Sequence, residues 1–299
     1  MSKMLVTGGC GFIGSNLVDQ LIDDGHEVVV IDDLSTGTEK NLNPKAEFHA
    51  LGLLQINENR LEGIDTVFHL AAKARVQPSI EDPMTYHNTN VTGTLKLLQD
   101  SVKYKVRRFI FSSSSSVYGM THTFPTSESS TKSPMSPYAA NKYMGEVYCK
   151  TFSEIYNLET ICLRYFNVYG ERQPTEGAYC TVMGIFARQL LEGNPMTING
   201  DGEQRRDFTY VGDIVRGNIL ASTSNKVGNG EPINLGSGVN YSVNQLANLL
   251  GGDRVYREPV FEPKVSLADN TLALGLLGWR PQTKLEDWIL KYKKDIGLV

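Results

Sequence analysis

Short apolar runs alternate with longer amphipathic segments through the first half of the chain. The runs, several of them rich in valine and isoleucine, predict strands at residues 3–7, 27–32, 46–50, 65–71, 107–113 and 159–166. Apolar residues at helical spacing between the runs predict helices at residues 12–24, 88–103 and 138–156. This alternation is typical of a parallel sheet with helices on both faces. The pattern therefore predicts an α/β fold with a doubly wound parallel sheet.

After about residue 170 the pattern loosens into glycine, proline and short strand signals. Helical spacing returns at residues 179–192, 212–223, 242–250 and 283–294. We therefore predict a sheet domain of residues 1–170 and a smaller C-terminal α/β lobe of residues 171–299. Ligands of doubly wound sheets bind beyond the carboxyl ends of the strands. We expect the substrate in the cleft between the two parts.

A glycine-rich loop links the first predicted strand to the first predicted helix. Gly8, Gly11 and Gly14 allow the backbone to approach a pyrophosphate at the helix N-terminus, where unpaired N–H groups favour negative charge. Glycines also make ordinary tight turns, but the second strand ends at Asp32, 18 residues after Gly14, close to the spacing of an acid that binds the adenosine ribose. These features predict a Rossmann-like NAD-binding domain. Asp32 and Asp33 favour NAD over NADP, because a 2′-phosphate needs a cation.

Composition and charge exclude several classes of protein. Apolar residues make up 40% of the 299 residues and are interrupted by charge too often for a membrane span, and the net charge of −4 indicates no surface for nucleic acid. Cys10, Cys149, Cys162 and Cys180 lack the spacing of a metal site, and the start at residues 1–3 leaves no room for a signal peptide. We therefore expect a cytoplasmic protein with no metal and with no membrane or nucleic-acid partner.

Tyr138 and Lys142 are the first candidates for catalysis. Ser136 is a good N-cap and Pro137 suits the first position of a helix, so the tyrosine and the lysine, four residues apart, share one helix face. A nearby ammonium favours the phenolate, which lowers the pKa of Tyr138 toward that of a general base. With 14 tyrosines, one such spacing is nearly expected by chance. Its place at a helix start, downstream of a dinucleotide loop, favours a catalytic pair.

A run of serines, Ser112 to Ser116, follows the strand predicted at residues 107–113. One interpretation is a polar loop whose hydroxyls bond the local backbone. The other is a hydroxyl beside Tyr138 that hydrogen-bonds the reacting oxygen. The run by itself does not say which serine that is.

Several motifs, taken in their order along the chain, identify a family. They are Thr7-Gly8-Gly9 through Gly14, Asp32-Asp33-Leu34-Ser35, His69-Leu70-Ala71-Ala72, Asn90-Val91 with Gly93-Thr94, Ser112-Ser113-Ser114 with Val117-Tyr118-Gly119, Tyr138 with Lys142, Leu163 through Gly170, and Arg206-Asp207-Phe208. With them the chain resembles the extended short-chain dehydrogenase/reductase family over nearly its whole length. Within that family it resembles the nucleotide-sugar epimerases of the UDP-glucose/UDP-galactose 4-epimerase type.

The resemblance implies NAD as the cofactor and a UDP-sugar as the substrate. It implies that Ser114 is the catalytic hydroxyl, that Tyr138 is the base and that Lys142 holds the nicotinamide ribose. It also implies contacts to the nucleotide diphosphate from Asn167 and from Arg206, whose planar fork suits phosphate oxygens. The residues implied to bind NAD are Gly8, Gly11, Phe12, Ile13, Gly14, Asp32, Asp33, Ser35, Thr36, Gly37, Leu53, Leu70, Ala71, Ala72, Lys73, Asn90, Ser112, Tyr138, Lys142 and Tyr165.

The two serines after Ser114 narrow the reaction. The related 4,6-dehydratases carry an Asp–Glu pair there and the decarboxylases a Glu, whereas this chain has Ser115 and Ser116. Without a carboxylic acid, a leaving hydroxyl has no proton donor, which favours NAD-dependent 4-epimerisation of a UDP-hexose through a transient 4-keto sugar. The alternatives are a nucleotide-4-keto-sugar reductase and a non-catalytic NAD-binding sensor. The intact tyrosine and lysine disfavour the sensor.

The resemblance also bears on the sugar. Ser266 aligns with a position that limits the size of the sugar, and a small residue there admits a 2-N-acetyl group. This favours UDP-GlcNAc/UDP-GalNAc, alone or together with UDP-Glc/UDP-Gal, while an ordinary loop serine is the alternative. Two departures stand out: Leu53 replaces an aspartate beside adenine, and the Arg-Pro-Gly-Asp motif is eroded to residues 259–262. We expect Arg257, two positions earlier, to replace the missing phosphate contact.

The predicted helices at 88–103 and 138–156 both carry apolar stripes. Their members are Val91, Leu95, Leu98, Val102, Tyr143, Val147 and Phe152. The family forms dimers through a four-helix bundle, so the resemblance implies a homodimer built on these faces. Core packing within one subunit explains the stripes equally well.

Overall fold

The computed structural model of the protein describes residues 1–175 and 180–298. The strands are β1 Lys3–Thr7, β2 Glu27–Asp32, β3 Glu47–Ala50, β4 Thr66–His69, β5 Arg108–Ser114, β6 Glu159–Tyr165, β7 Val168–Tyr169, β8 Met196–Asn199, β9 Arg205–Asp207, β10 Thr209–Tyr210, β11 Asn229–Leu235, β12 Asn240–Ser242 and β13 Arg254–Arg257. The helices are α1 Phe12–Asp23, α2 Val76–Glu81, α3 Pro83–His87, α4 Gly93–Lys103, α5 Pro137–Tyr156, α6 Val182–Leu191, α7 Val211–Thr223, α8 Val243–Leu250, α9 Thr271–Leu277 and α10 Leu285–Asp295.

Seven parallel strands form the main sheet, in the order β11-β6-β5-β4-β1-β2-β3. The order reverses between β1 and β4, because the chain fills the sheet in one direction to β3 and then crosses back. The carboxyl ends of strands at such a reversal leave a crevice for ligands. The predicted α/β, Rossmann-like doubly wound sheet is confirmed.

Alternate side chains of each strand enter two separate cores, as the twofold period of a strand requires. Met4 and Val6 of β1 pack beneath α1, α7 and α9, where Leu17 and Ile214 are fully buried. Leu5 points to the opposite face and packs with residues of α4 and α5. Because both faces are covered, strands such as β1 and β2 carry an uninterrupted apolar run, and this is why the runs were recognisable in the sequence.

The chain returns to the main sheet after residue 170. The seventh strand, β11, pairs with β6, and α7 and α9 cover the same face as α1. A second cluster joins α6, α8 and α10 to β8. The predicted division into residues 1–170 and 171–299 did not anticipate this return, because a strand's place in a sheet depends on partners far away in the chain. The division into two domains stays a prediction.

The predicted helices and the observed ones differ mainly at their ends. The helix predicted at 88–103 is α4, which continues from α3 through a π-helical turn at Asn88–Thr92. The helix predicted at 179–192 corresponds to α6, and residue 179 lies outside the described residues. The helix α2 and the short strands β7 to β13 were not predicted. Among the described helices, none combines the length and the apolar character needed to cross a membrane.

Candidate active site

A cleft of about 1580 Å³ opens along the carboxyl ends of the sheet strands and reaches into the C-terminal part of the chain. Nearly all of the predicted site residues line it. They are Gly8, Gly11, Phe12, Ile13, Gly14, Asp32, Asp33, Ser35, Thr36, Leu53, Leu70, Ala71, Ala72, Lys73, Ser112, Ser114, Tyr138, Lys142, Tyr165, Asn167, Arg206, Arg257 and Ser266. The two exceptions are Gly37, which packs against the glycine loop, and Asn90, which lies behind the wall of the cleft.

The glycine loop at one end of the cleft has no room for side chains. A Cβ on Gly14 would lie 2.1 Å from the carbonyl oxygen of Gly8. Gly8 has a φ of +73°, and its Cβ would lie 2.7 Å from the backbone nitrogen of Ala71. Helix α1 then begins at Phe12 without a side-chain cap from Gly11, so the N–H groups of its first turn are available to a ligand. This cradle fits the pyrophosphate of a dinucleotide.

Asp32 ties the end of β2 to the glycine loop. Its two carboxylate oxygens accept hydrogen bonds from the backbone N–H groups of Cys10, at 3.0 Å, and Leu34, at 2.8 Å. Burial raises the pKa of this carboxyl, against the lowering effect of the two N–H groups. The neighbouring Asp33 is exposed and accepts from the backbone N–H of Ser35 at 2.9 Å. Two carboxylates stand where a 2′-phosphate would need a cation, so the residues present fit NAD.

A buried hydrogen-bond chain lies beneath the floor of the cleft and was not predicted. The Nδ1 of His69 lies 2.7 Å from the Thr7 hydroxyl, and its Nε2 lies 2.8 Å from the Thr94 hydroxyl. The Thr94 hydroxyl donates to the carbonyl of Asn90, so His69 carries its proton on Nε2 and accepts from Thr7 through Nδ1. Burial lowers the pKa of His69 to about 3, which keeps the ring neutral. These hydrogen bonds fix the carboxyl ends of β1 and β4 relative to α4.

The Asn90 side chain supports the wall of the cleft through hydrogen bonds to the backbone of Lys73. Its side-chain amide accepts from the N–H of Lys73 and donates to the carbonyl of the same residue, both at 2.8 Å. These bonds hold the Lys73 segment of the cleft wall, and the contact of Asn90 with NAD stays a prediction. Leu53 lines the cleft and packs against Gly93 at the start of α4, where a Cβ would lie 2.8 Å from its side chain.

Tyr138, Lys142 and Ser114 all line the cleft. The predicted cap is present: Ser136 accepts from the third residue of α5, and Pro137 occupies the first position. Ser114 ends β5, and its hydroxyl is near enough to the Tyr138 phenol to lower the pKa of that group. The Lys142 ammonium is buried and donates to the carbonyl of Ser112 at 2.6 Å. The structure thus brings the three predicted catalytic residues together.

The charge environment of this group differs from the prediction. Burial raises the pKa of Tyr138 above its usual value, and the groups that oppose this rise are the Ser114 hydroxyl and the guanidinium of Arg75. The expectation that Lys142 lowers the tyrosine pKa is not met, because the ammonium is drawn to the Ser112 carbonyl instead. Burial also lowers the pKa of Lys142 to about 8, against the opposing effect of Glu146.

Arg75 is a cleft residue that the sequence analysis missed. It lines the cleft after β4, directly before α2, with a φ of +93°. This region of φ is rare outside glycine, and such backbone strain clusters at functional sites. The side chain supplies positive charge to Tyr138 from a part of the chain with no recognised motif. The presence of two basic residues, Lys73 and Arg75, after a strand end was the one signal in the sequence.

The opposite wall carries the predicted substrate residues. The Asn167 amide donates to the carbonyl of Asp207 at 2.9 Å and lies 3.5 Å from the Ser266 hydroxyl. Arg206 donates to the Glu262 carboxylate at 2.5 Å and makes no ion pair with its neighbour Asp207. The fork of Arg206 is thus held at the cleft by Glu262, which was not predicted.

Asp207 and Arg257 lie on either side of this wall. The buried Asp207 accepts four hydrogen bonds, from Ser237 N and Oγ and from the backbone N–H groups of Gly238 and Ala268. Because these donors come from two separate loops, the carboxylate joins them behind Asn167 and Ser266. Arg257 ends β13 at the rim of the cleft with an exposed side chain.

Comparisons with known proteins agree with this geometry. The model of the NAD dependent epimerase/dehydratase family matches residues 4–236. The chain is 40% identical to a UDP-glucose 4-epimerase from Thermotoga maritima solved with UDP-glucose; the match covers 98% of this chain and 99% of that one, with a TM-score of 0.91.

Two further solved structures bind other sugars. A UDP-N-acetylglucosamine 4-epimerase from Methanobrevibacter ruminantium, in complex with UDP-N-acetylmuramic acid, is 38% identical, with 100% and 99% of the two chains covered and a TM-score of 0.94. A UDP-glucuronic acid 4-epimerase from Bacillus cereus, in complex with UDP-glucuronic acid and NAD, is 34% identical, with 99% of each chain covered and a TM-score of 0.91.

Proposed function

Because the chain belongs to the NAD dependent epimerase/dehydratase family and is an isomerase with NAD as its cofactor, we propose that it inverts C4 of UDP-GlcNAc/UDP-GalNAc, of UDP-Glc/UDP-Gal, or of both pairs. One observation carries the proposal: Ser114, Tyr138 and Lys142 meet in a single cleft between the glycine loop and the wall that holds Asn167 and Arg206. This arrangement supports a nucleotide sugar whose hexose ring reacts beside Tyr138 while its diphosphate is held by Asn167 and Arg206.

Each residue has a role that follows from its position. The chemistry that NAD supplies when bound is reversible hydride transfer. Tyr138 removes the proton from the sugar O4 and later returns it, and the Ser114 hydroxyl hydrogen-bonds the same oxygen in the transient 4-keto sugar. Arg206 holds the diphosphate, so the sugar turns about that link and presents its other face. Lys142 orients the nicotinamide ribose.

The absence of an acid beside Ser114 supports epimerisation over elimination. Ser115 and Ser116 form a 3-10 turn with Tyr118 and line the cleft. A hydroxyl is too weak an acid to protonate a leaving hydroxyl group. Serines at these two positions therefore support a reaction in which the sugar keeps all of its hydroxyl groups.

The small side chain of Ser266 supports an N-acetylated substrate. Its hydroxyl lies beside the Asn167 amide, on the wall that faces the catalytic residues. A serine leaves space in this wall for a 2-N-acetyl group. The structurally similar UDP-N-acetylglucosamine 4-epimerase from M. ruminantium supports the same choice.

The test is turnover without added cofactor. Purified protein is incubated with UDP-GlcNAc, UDP-Glc, their C4 epimers and UDP-glucuronic acid, and the sugars are resolved by chromatography. Interconversion of the hexoses without added NAD supports the proposal. Reduction of an added UDP-4-keto-hexose by NADPH, without interconversion of the hexoses, would establish the reductase, and bound NAD without any turnover would establish the sensor. Turnover of UDP-glucuronic acid alone would contradict the proposed sugars.

We also propose that the protein is a homodimer through a four-helix bundle. Of the two predicted stripes, Val91, Leu98 and Phe152 are buried in the core, but eight large apolar side chains on α2, α3 and α5 are 36 to 66% exposed. Five of them carry this proposal: Ile80, Met84, Tyr143, Met144 and Val147. Because α2 and α3 pack against α5, these residues share one side of the molecule, and a second copy would cover them. The cytoplasmic location stays a prediction.

A further inference from the structure

A buried ion pair joins α5 to β6 behind the catalytic end of the cleft. The side chains of Glu146 and Arg164 are 7% and 1% exposed, and the guanidinium donates from Nε and Nη2 to the two carboxylate oxygens at 2.8 and 2.6 Å. The hydroxyl of Ser113 on β5 donates to the same carboxylate at 2.5 Å. Bidentate, charge-assisted contacts are among the strongest polar contacts in proteins. Side chains thereby tie together three neighbouring elements: β5, β6 and α5.

This cluster adjoins the contacts that β5 makes to the catalytic residues. Ser113 lies between Ser112, whose carbonyl accepts from Lys142, and Ser114, whose hydroxyl lowers the pKa of the catalytic tyrosine. On α5, Glu146 follows Lys142 by one helical turn. The bond from Ser113 to Glu146 therefore fixes the end of β5 against the helix that carries both catalytic side chains.

The cluster continues through further side chains, the first of which, Tyr118, also lines the cleft. Arg164 Nη1 donates to the Tyr118 hydroxyl at 2.8 Å, and this hydroxyl donates to the Asn234 side chain at 2.7 Å. The backbone N–H of Asn234 donates to the Glu128 carboxylate at 2.8 Å. The guanidinium that holds Glu146 is thus itself fixed from β11 and from the loop after Tyr118.

Groups from three elements face the Lys142 ammonium. On α5, the Glu146 carboxylate and the Cys149 thiol both raise its pKa, while burial lowers it to about 8. From β4 comes His69, which is neutral. From β5, the ring of Phe111 lies 5.0 Å from the ammonium. Glu146 therefore supplies the negative charge that offsets burial and keeps Lys142 protonated near neutral pH.

We propose that Glu146, held by Arg164 and Ser113, is a positioning residue that keeps the Lys142 ammonium charged and fixed against the end of β5. The inference rests on the proposed function, because Lys142 matters to turnover only if the cleft epimerises a nucleotide sugar. Packing alone gives no reason for such a pair, since replacing both partners of a buried ion pair with apolar residues is often neutral or stabilising.

The test compares three variants with the wild-type chain. Glu146→Gln keeps the shape and removes the charge. The double variant Glu146→Gln/Arg164→Met also removes the charge left unpaired on Arg164 and restores stability. Ser113→Ala removes one hydrogen bond and keeps the ion pair. Each is assayed for bound NAD, for melting temperature, and for kcat and KM across pH.

Removal of the carboxylate lowers the pKa of Lys142, so its ammonium is lost at a lower pH. In both variants that lack Glu146, we expect the high-pH fall of kcat to move about one pH unit below the wild-type position near 8, and kcat at that pH to drop about tenfold. Bound NAD and KM should stay near wild type. Ser113→Ala should lower kcat about threefold without moving the pH profile, because the charge remains.

A remote ion pair on the same strand provides the matched control. Arg108 starts β5 and donates to Glu159 at 2.8 Å, at the edge of the sheet opposite the cleft. Glu159→Gln should lower the melting temperature and leave the pH profile of kcat unchanged. If the variants of Glu146 and Ser113 behave as Glu159→Gln does, or if the double variant recovers the wild-type profile along with its stability, the positioning role is overturned. Where Glu146→Gln fails to fold, the other two variants carry the test.

The same measurements separate this inference from the proposed function. A wild-type chain that turns over UDP-hexoses, with variants that keep its pH profile, removes only the role of Glu146. A wild-type chain without turnover on any of the sugars removes the proposed function, and the positioning role with it.

Discussion

Tyr138 and Lys142 lie one turn apart on α5, yet burial moves their pKa values in opposite directions. The tyrosine pKa rises and the lysine pKa falls to about 8, because a low-dielectric environment disfavours the charged form of each. The charges of Arg75 and Glu146 oppose these shifts on either side. At the residue scale, the chemistry of the pair is therefore controlled by charges that come from outside the Tyr–Lys motif.

Replacing Tyr138 with Phe removes the proposed base with little change in shape. We expect bound NAD to stay at the wild-type level and kcat to fall by about 10²- to 10⁴-fold, since general acid–base catalysis contributes about that much. Tyr156→Phe, an exposed tyrosine at the far end of the same helix, is the control and should keep its activity. Near-normal turnover of the Tyr138 variant would remove it as the base.

Replacing Ser266 with Tyr narrows the wall beside Asn167. We expect kcat/KM for UDP-GlcNAc to fall at least about tenfold more than that for UDP-Glc, because an added ring overlaps the space of a 2-N-acetyl group. The measurement is a comparison of kcat/KM for both sugars in wild type and variant. Equal losses on both sugars would contradict the role of Ser266 as a size limit.

At the scale of elements, the cofactor end of the cleft depends on how closely three elements approach. The loop after β1, the start of α1 and the segment after β4 touch through Gly8, Gly14 and Ala71. Beneath them, His69 and Thr7 link the two strand ends. Positioning of the cofactor therefore rests on backbone contacts that any side chain would disturb.

Gly14→Ala tests this close approach. The new Cβ would lie 2.1 Å from a backbone oxygen, so the loop must shift, at a cost of about 2 kcal/mol in unfolding free energy. We expect a lower melting temperature and loss of bound NAD. Gly275→Ala, in open space on α9, is the control and should keep its NAD and gain stability, because Ala is a better helix former. Full NAD content in Gly14→Ala would refute the close-packed cradle.

How well elements were predicted depended on the regularity of the local pattern. α1, α5 and the strands β1 to β6 lie close to their predicted positions, because apolar runs alternate there with amphipathic segments. The helix α2 gave no such signal: it has six residues and follows Arg75, which has the backbone conformation of a glycine. The strands β7 to β13 were missed, because most span two to four residues and they lie where this alternation is lost.

At the scale of the whole molecule, the cleft is shared by distant parts of the chain. Ser114, Tyr138 and Lys142 come from β5 and α5, whereas Arg206, Arg257 and Ser266 come from the C-terminal third. Asp207 binds the two loops behind this wall together. The substrate wall therefore depends on the same folding event that returns β11 to the main sheet.

The apolar residues left exposed on α2, α3 and α5 lead to a prediction about assembly. Val147→Lys and Ile80→Lys place charges on this surface, and burying an unpaired charge at an interface is strongly unfavourable. We expect the wild type to sediment as a dimer and the variants as monomers. Leu290→Lys, on the exposed face of α10, is the control and should remain dimeric. A monomeric wild type would remove the proposed dimer.

The sequence by itself determined six of the seven strands of the main sheet, the glycine loop, the acid that follows it and the Tyr–Lys pair, because each depends on local periodicity or on a short spacing along the chain. Tertiary structure alone decided which charges surround that pair. Arg75 and Glu146 lie in no motif, and the motif that contains Arg164 assigned it no role; the effect of all three arises from burial and from partners on other elements. The hydrogen bond from Lys142 to the Ser112 carbonyl could not be predicted from the sequence for the same reason. Electrostatic energies depend on distance and solvation in the folded chain.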